Sequence, residues 1–461
     1  MIRNLKGFAA TACCLLIVAG CATLPDTQFL TERYATQAVR IESARGALST
    51  ERSAGIVAEL KRKSGDLDIL DKQIALEQDL VGSPLMVGNK VTLLQDGPVT
   101  YKAMFAAIGK AKNHINVESY IIENDEVGRQ FADLLIERQT QGVQVNLIYD
   151  SIGAMGTPKL FFDRLKQAGV AVLEFSPINP LLLKKSWTPN HRDHRKLLVV
   201  DGRTAFLGGI NISSVYSSGS AGVRDMEPAD PAIGWRDTDI QIDGPVVSEF
   251  QKLFIQTWNK QRGAPLAQKD YFPTIAPQAK DLVRAIGSTP DDPYSQIYLT
   301  LISAITNAEH QVSIANAYFV PDPQLRKALL DAAGRGVDVR LILPGNSDSA
   351  AVLYAGRSYY SELLKGGVKI FERRGAMLHV KTAIVDGVWS CVGSSNLDWR
   401  SALDNDEINA VILGREFAQQ MQLAFAKDVE ASDAIELETW QQRPLVPRLK
   451  EWTARLWGRL L

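Results

Sequence analysis

The stretch His194-Arg195-Lys196-Leu197-Leu198-Val199-Val200-Asp201-Gly202 has a twin in His379-Val380-Lys381-Thr382-Ala383-Ile384-Val385-Asp386-Gly387, and every matched pair is 185 positions apart. Ten residues after each aspartate comes an asparagine, Asn211 or Asn396, behind a turn of small residues, Gly208-Gly209 or Gly393-Ser394-Ser395. A lone His-x-Lys says nothing, because a satisfied structural histidine explains it better. The same histidine, lysine, aspartate and asparagine spaced identically twice point to a duplicated unit.

The flanking sequence repeats in the same order. In the first copy, Tyr101 to Ala111 reads as a helix and Ile115 to Ile122 as a strand. Helical spacing of Val127, Phe131, Leu134 and Leu135 follows, then an alternating strand at 142–149 and another opening near Ala168. The second copy runs helix from Leu301 to Ala308, strand from Val312 to Val320, and a helix starting at Pro323, where proline is tolerated. Strands at 336–343 and 366–370 come next. The copies are 194 positions apart at Gly142/Gly336, 198 at Gly169/Gly367 and 185 at the histidines, which locates an insertion in the first copy near 176–193. Strands alternating with helices predict α/β units with a largely parallel sheet, here two α/β/α sandwiches related by a pseudo-twofold axis.

The spacing carries chemistry. Side chains on a strand alternate, so His194 and Lys196 are expected on one side, as are His379 and Lys381. The turns bring Asn211 and Asn396 beside them. Two lysines and two amides make a cationic, donor-rich cradle for a tetrahedral phosphate. Of two facing imidazoles, one attacks phosphorus to form a phosphohistidine. The other protonates the leaving oxygen and then deprotonates the incoming hydroxyl. With the lysines neutralising charge, no metal or other cofactor is expected. Asp201 and Asp386, each before a glycine, read as turn-forming rather than catalytic.

This pair of motifs resembles the signature of the phospholipase D superfamily, over about residues 86–440. Within it, Tyr318-Phe319-Val320-Pro321 and Asn396-Leu397-Asp398-Trp399-Arg400-Ser401 are similar to cardiolipin synthases and their relatives. The resemblance implies one active site shared by the halves, with His194 as nucleophile and His379 as acid/base. It also implies a downstream carboxylate orienting each histidine: Glu407 for the second half, and Asp237, or else Asp239, for the first. His114 and His310 read as surface residues, and His191 as a loop residue near the site mouth.

The ends of the chain bear on where such an enzyme works. Arg3 and Lys6, the apolar run from Phe8 to Val18, and Val18-Ala19-Gly20-Cys21 look like a bacterial lipobox, with Cys21 acylated. An ordinary secretory signal is the alternative. Ala22, not Asp, suggests the outer membrane, with the enzyme on the periplasmic side, anchored without crossing. Loss of the leader would leave Cys391 as the one free thiol, a buried strand residue. Residues 1–20 then form the signal, 21–85 a helical spacer or packing arm, 86–270 and 271–440 the halves, and 441–461 a tail. Leu449, Trp452, Leu456 and Leu460 fall at helical spacing in that tail among Arg448, Lys450, Arg455 and Arg459. Such a basic helix suits either a membrane interface or docking onto the body.

Two features of the first half could meet substrate. Leu181-Leu182-Leu183-Lys184-Lys185-Ser186-Trp187 reads as a lipid-facing loop or as core, and 213–235 as a mobile lid. The chain holds 51 basic and 52 acidic residues. Nucleic-acid binding draws its affinity from neutralised phosphates, so this balance argues against a polyanion partner. A phospholipid substrate handled by phosphatidyl transfer is the first expectation. A nuclease using the same residues is the second, and an inactive scaffold lipoprotein the third. Oligomeric state is not legible.

Overall fold

The computed structural model describes residues 39–65, 67–177, 190–220 and 234–461. The proposed leader with Cys21, the loop Leu181–Trp187, and residues 221–233 of the candidate lid lie outside the described residues.

Each half contains the same run of seven strands, to which Ser432–Ala434 and Ile41–Ser43 add at Lys369–Arg373 and Leu85–Gln95. In the first, strands at Ala171–Phe175, Gln144–Asp150 and His114–Ser119 pair in parallel. Lys196–Val200, Thr204–Gly208, Thr238–Asp243 and Leu85–Gln95 then continue antiparallel. In the second, Lys369–Arg373, Asp338–Pro344 and Gln311–Asn316 are parallel. Lys381–Val385, Trp389–Gly393, Asn405–Leu413 and Asp281–Ser288 follow antiparallel. The strand order is therefore identical, and the seventh strands, Leu85–Gln95 and Asp281–Ser288, pair with each other to join the two sheets.

The expectation of a largely parallel sheet is corrected to a mixed one. Parallel neighbours need a crossover helix, but the motif strand is joined to its successor by a few residues only, which permits a hairpin and nothing else. Asp201 and Gly202 in one hairpin, and Asp386 and Gly387 in the other, all lie at positive φ between 51° and 63°. This is the handedness a tight hairpin requires, and aspartate and glycine tolerate it best.

Helices Asp96–Lys110, Glu126–Thr140 and Lys159–Gln167 pack on one face of the first sheet, and Val247–Lys260 on the other. Gln296–Thr306, Pro323–Gly334 and Arg415–Glu430 cover the second sheet in the same way. The inner faces meet in a shared core, where Leu197, Ile240, Phe250 and Phe254 of one half lie with Ile384, Val392, Ile408 and Phe417 of the other. That core is why the halves cannot sit apart.

Of the two readings of the N-terminal arm, packing holds for its described part. Ile69, Leu70, Ile74 and Leu76, from helix Asp68–Leu80, sit in the core of the second half. Buried Glu77 pairs with Arg284 at 3.1 Å and accepts from the Trp389 indole at 2.9 Å. Among the described residues no helix is long and apolar enough to cross a membrane.

Candidate active site

Each motif histidine sits just before its strand, in a segment that crosses to the other half. Arg192–Asp193 pairs in parallel with Asn405–Asp406, and Arg236 bridges Leu378 in the same way. The His194 amide donates to the Asp406 carbonyl at 2.9 Å, and the His379 amide to the Arg236 carbonyl at 2.7 Å. In both cases the accepting residue immediately precedes a carboxylate. The backbone thus places each histidine against the other half's acid.

His194 Nδ1 lies 3.0 Å from Glu407 Oε1, and His379 Nδ1 lies 2.7 Å from Asp237 Oδ2. This corrects the expected assignment, which paired Glu407 with His379 and Asp237 with His194. The acids are the right ones, but their partners are exchanged. A linear sequence gives order along the chain and carries no sign of which half's strand end abuts which histidine. Asp239 touches neither imidazole; it accepts from the Ile210 amide at 3.0 Å and fixes the glycine turn. Gly209 is needed there, because a Cβ would stand 2.3 Å from the Asp237 carboxylate.

The two acids differ electrically. Both are buried, which alone would raise them. Glu407 nevertheless stays below the ordinary carboxylate range. His194, Lys196 and the Ser394 hydroxyl oppose its burial, and the Ser401 hydroxyl donates to it at 2.7 Å. Asp237 receives the Thr238 amide at 2.7 Å, and its burial pushes it well above that range despite Lys381. Burial lowers His194 to about 4, against the pull of Glu407 and with a push from Lys196. His379 falls well below its ordinary value through burial, Lys381, Lys196 and His194.

Lys196 and Lys381 are buried beneath the imidazoles, donating to the carbonyls of His194 and His379 at 2.7 and 2.5 Å. Burial lowers them to about 7 and about 8. Asn211 is pinned, accepting from the Ile121 amide at 3.1 Å and donating to the Tyr216 hydroxyl at 3.2 Å. Asn396 is buried with its Oδ1 unpartnered. Both histidines and both asparagines line one cavity of about 470 Å³.

Asp201 and Asp386 stand away from it. Asp201 accepts from the amides of Lys112, Asn113 and His114, and Asp386 from those of Glu309, His310 and Gln311. They are turn residues, as expected. His114 is corrected from surface to core: it is fully buried, with Nε2 3.1 Å from Gln251 Oε1. His310 is exposed. His191 bonds Asp406 at 2.8 Å. Cys391 is buried, its thiol pushed up to about 12 by burial.

Four aromatic residues at the histidines were not anticipated as site residues. Tyr120 packs edge-on against His194 at 5.1 Å between centroids, and Tyr318 against His379 at 6.0 Å. The lysines sit over the same rings, Lys196 5.2 Å from Tyr120 and Lys381 5.8 Å from Tyr318. The repeat held the signal, since the two tyrosines are 198 apart, the offset seen at Gly169/Gly367. Tyr216 and Trp235 also flank His379, at 5.8 and 5.3 Å.

Residues 104–219 and 301–429 match the family model described as "Cardiolipin synthase, PLD-like domain". The chain is 35% identical to a cardiolipin synthase of Geobacillus kaustophilus, covering 82% of this chain and 74% of the relative. It is 34% identical to the major cardiolipin synthase of Bacillus subtilis, covering 81% and 76%. In fold it is similar to the phosphatidylserine synthase of Haemophilus influenzae, with a TM-score of 0.61 at 15% identity, covering 84% of this chain and 99% of that one. With both repeats matched and most of each relative spanned, the chain belongs to the cardiolipin synthase family of phospholipase D-like enzymes.

Proposed function

We propose that the protein transfers phosphatidyl groups between phospholipids through a phosphohistidine on His194, with phosphatidylglycerol as donor and acceptor. The observation that carries this reading is the pair of crossed contacts. With each Nδ1 committed to a carboxylate, Nε2 is the atom each imidazole has left to act with. His194 beside an ionised Glu407 keeps its Nδ1 proton and a free Nε2 lone pair, which makes it the nucleophile.

His194 Nε2 attacks phosphorus and the bond to the leaving headgroup oxygen breaks. His379 delivers a proton to that oxygen. Burial depresses His379 first and the lysines add to it; a phosphodiester anion entering the site offsets the lysines' share, which raises its proton affinity in the complex. The acceptor hydroxyl then gives its proton to His379 and attacks phosphorus, breaking the P–N bond. Lys196, Lys381, Asn211 and Asn396 hold the phosphoryl oxygens. Water as acceptor would give phosphatidic acid.

The lipid side of the reading is supported by the C-terminal helix Leu445–Leu456. Its polar side docks on the body, with Arg455 over Tyr359 at 4.6 Å, Lys450 over Tyr354 at 5.4 Å and Glu451 paired with Arg443. Its apolar side points outward: Leu445, Val446, Leu449, Trp452, Leu456 and Trp457 are each more than half exposed. The last residue, Leu461, lines the catalytic cavity. A bilayer held on that face would lie beside the cavity mouth. Acylation of Cys21 and a periplasmic, outer-membrane position complete the proposal.

The test is incubation with phosphatidylglycerol and phosphatidylethanolamine vesicles, resolving products by mass. Cardiolipin supports the reading, phosphatidic acid alone makes the enzyme a hydrolase, and no lipid product overturns it in favour of nuclease activity.

A further inference from the structure

The chemistry above uses the two imidazoles and the two asparagines of the cavity lining. The lining also includes Arg400, Asn405, Asp348 and Ser349, which the transfer step does not use. Two arginines line it. Arg192 is committed, donating to the Ser151 hydroxyl at 3.0 Å and the Ser176 hydroxyl at 2.9 Å, with Asp150 at 3.7 Å. Arg400 is half-buried on the short helix Trp399–Leu403, and its guanidinium has no hydrogen bond or ion pair among the described residues.

The lining that includes Arg400 also includes Asn396 and Asn405, whose side-chain carbonyl oxygens are buried and without a partner among the described residues. Leaving a buried acceptor without a hydrogen bond is costly, so such groups mark places where a ligand supplies the donor. The two carboxylates of this lining are engaged. Asp348 accepts from the Tyr318 hydroxyl at 2.8 Å, and Asp398 from the Ser401 amide at 2.8 Å. Burial and Glu407 push Asp398 up to about 7 against the opposing charge of Arg400, which weakens its competition with an incoming anion.

One free guanidinium and two free carbonyls fit a ligand with an anionic oxygen at one end and hydroxyls at the other. We propose that Arg400, Asn405 and Asn396 form an acceptor subsite for a glycerol-phosphate headgroup, Arg400 taking its phosphate and the amide carbonyls its glycerol hydroxyls. The proposal rests on the phosphatidyl-transfer reading and adds to it the choice of acceptor. A phosphatidylglycerol molecule seated this way places a terminal hydroxyl toward phosphatidyl-His194, three carbons from its own phosphate. Water and simple alcohols gain nothing from Arg400. The second phosphate is therefore what the cavity reads when it selects an acceptor.

The test is a partition experiment. Wild type and Arg400→Gln receive phosphatidylglycerol vesicles with ethanol present, and cardiolipin and phosphatidylethanol are quantified together. Both products draw on the same phosphohistidine, so a general loss of structure lowers them alike. Loss of one charge-assisted phosphate contact should lower the cardiolipin-to-phosphatidylethanol ratio about tenfold or more, with Arg400→Lys in between. An unchanged ratio overturns the subsite while leaving the transfer reading intact. A second measurement needs no turnover: calorimetric binding of two soluble headgroups, deacylated phosphatidylglycerol and deacylated cardiolipin. Wild type should prefer the two-phosphate headgroup, and Arg400→Gln should lose most of that preference. Absence of the preference in wild type overturns the subsite, and absence of all lipid products overturns the transfer reading separately.

Discussion

His194 of the first half gives its Nδ1 hydrogen bond to Glu407 of the second, at 3.0 Å, and the backbone of the same segment bonds Asp406. One strand end thus holds the His194 imidazole across the pseudo-twofold axis, and the segment carrying Asp237 holds His379 in return. Neither half holds a complete dyad of its own.

The crossing separates two variants that a within-half pairing would have exchanged. Glu407→Gln should block the first step, because His194 loses the anion that holds its tautomer. The yield of acid-labile phosphoenzyme should fall by about two orders of magnitude or more. His379→Ala should leave His194 able to attack a phosphatidyl ester with a good leaving group such as p-nitrophenol, yet slow its resolution. A burst of nitrophenol with phosphoenzyme accumulating is the expected trace. A burst in Glu407→Gln and none in His379→Ala would reverse the roles of the two histidines.

The pH dependence follows from the buried lysines. As pH rises, Lys196 loses its proton near 7 and Lys381 near 8, so the cradle loses positive charge and phosphate affinity falls. As pH falls, His194 protonates near 4 and loses its lone pair. Because kcat/KM reports the free enzyme, it should fall above about pH 7–8 and below about pH 4. The alkaline fall should appear as a rise in KM more than a drop in kcat, since bound phosphate keeps the lysines charged. Flat kcat/KM from pH 6 to 10 would contradict this account of the cradle.

Asp201 and Asp386 separate stability from chemistry. Each holds three backbone amides at a strand start opposite its hairpin, well behind the cavity. Asp201→Ala should cost about 1–3 kcal/mol, seen as a lower unfolding midpoint, while turnover per folded molecule stays near wild type. Complete loss of turnover in well-folded protein would move this aspartate into the site.

The fold and site were legible wherever the duplication spoke. Repeat offsets placed both sets of parallel strands, and the Asp-Gly pairs marked turns, but the hairpins that those turns make, and with them the mixed sheet, were not read from the sequence. The six cradle and imidazole residues came from one motif written twice. What stayed hidden needed contacts across the axis. The identity of each histidine's acid depends on which strand end crosses over. The burial of His114 depends on the Val247–Lys260 helix folding back over it, and the freedom of Arg400 on the absence of a partner that no local pattern records.

The outward face of the C-terminal helix supports the last prediction. Lys450, Arg455 and Arg459, though exposed, reach aromatic rings of the body, while Trp452 and Trp457 are more than half exposed. Exposing so much apolar surface is costly in water unless something covers it. If a bilayer does, Trp452 and Trp457 should sit at headgroup depth. Vesicles carrying lipids brominated near the headgroup should then quench their fluorescence. Leu449→Glu with Trp452→Glu should weaken vesicle binding and slow turnover on vesicles, while turnover of a dispersed short-chain lipid persists, because these side chains lie outside the cavity. Cys21→Ser in the same background should release the protein from membranes altogether, whereas either change alone leaves one attachment in place. Unquenched tryptophans on vesicles that the enzyme still consumes would show that this face meets something other than lipid.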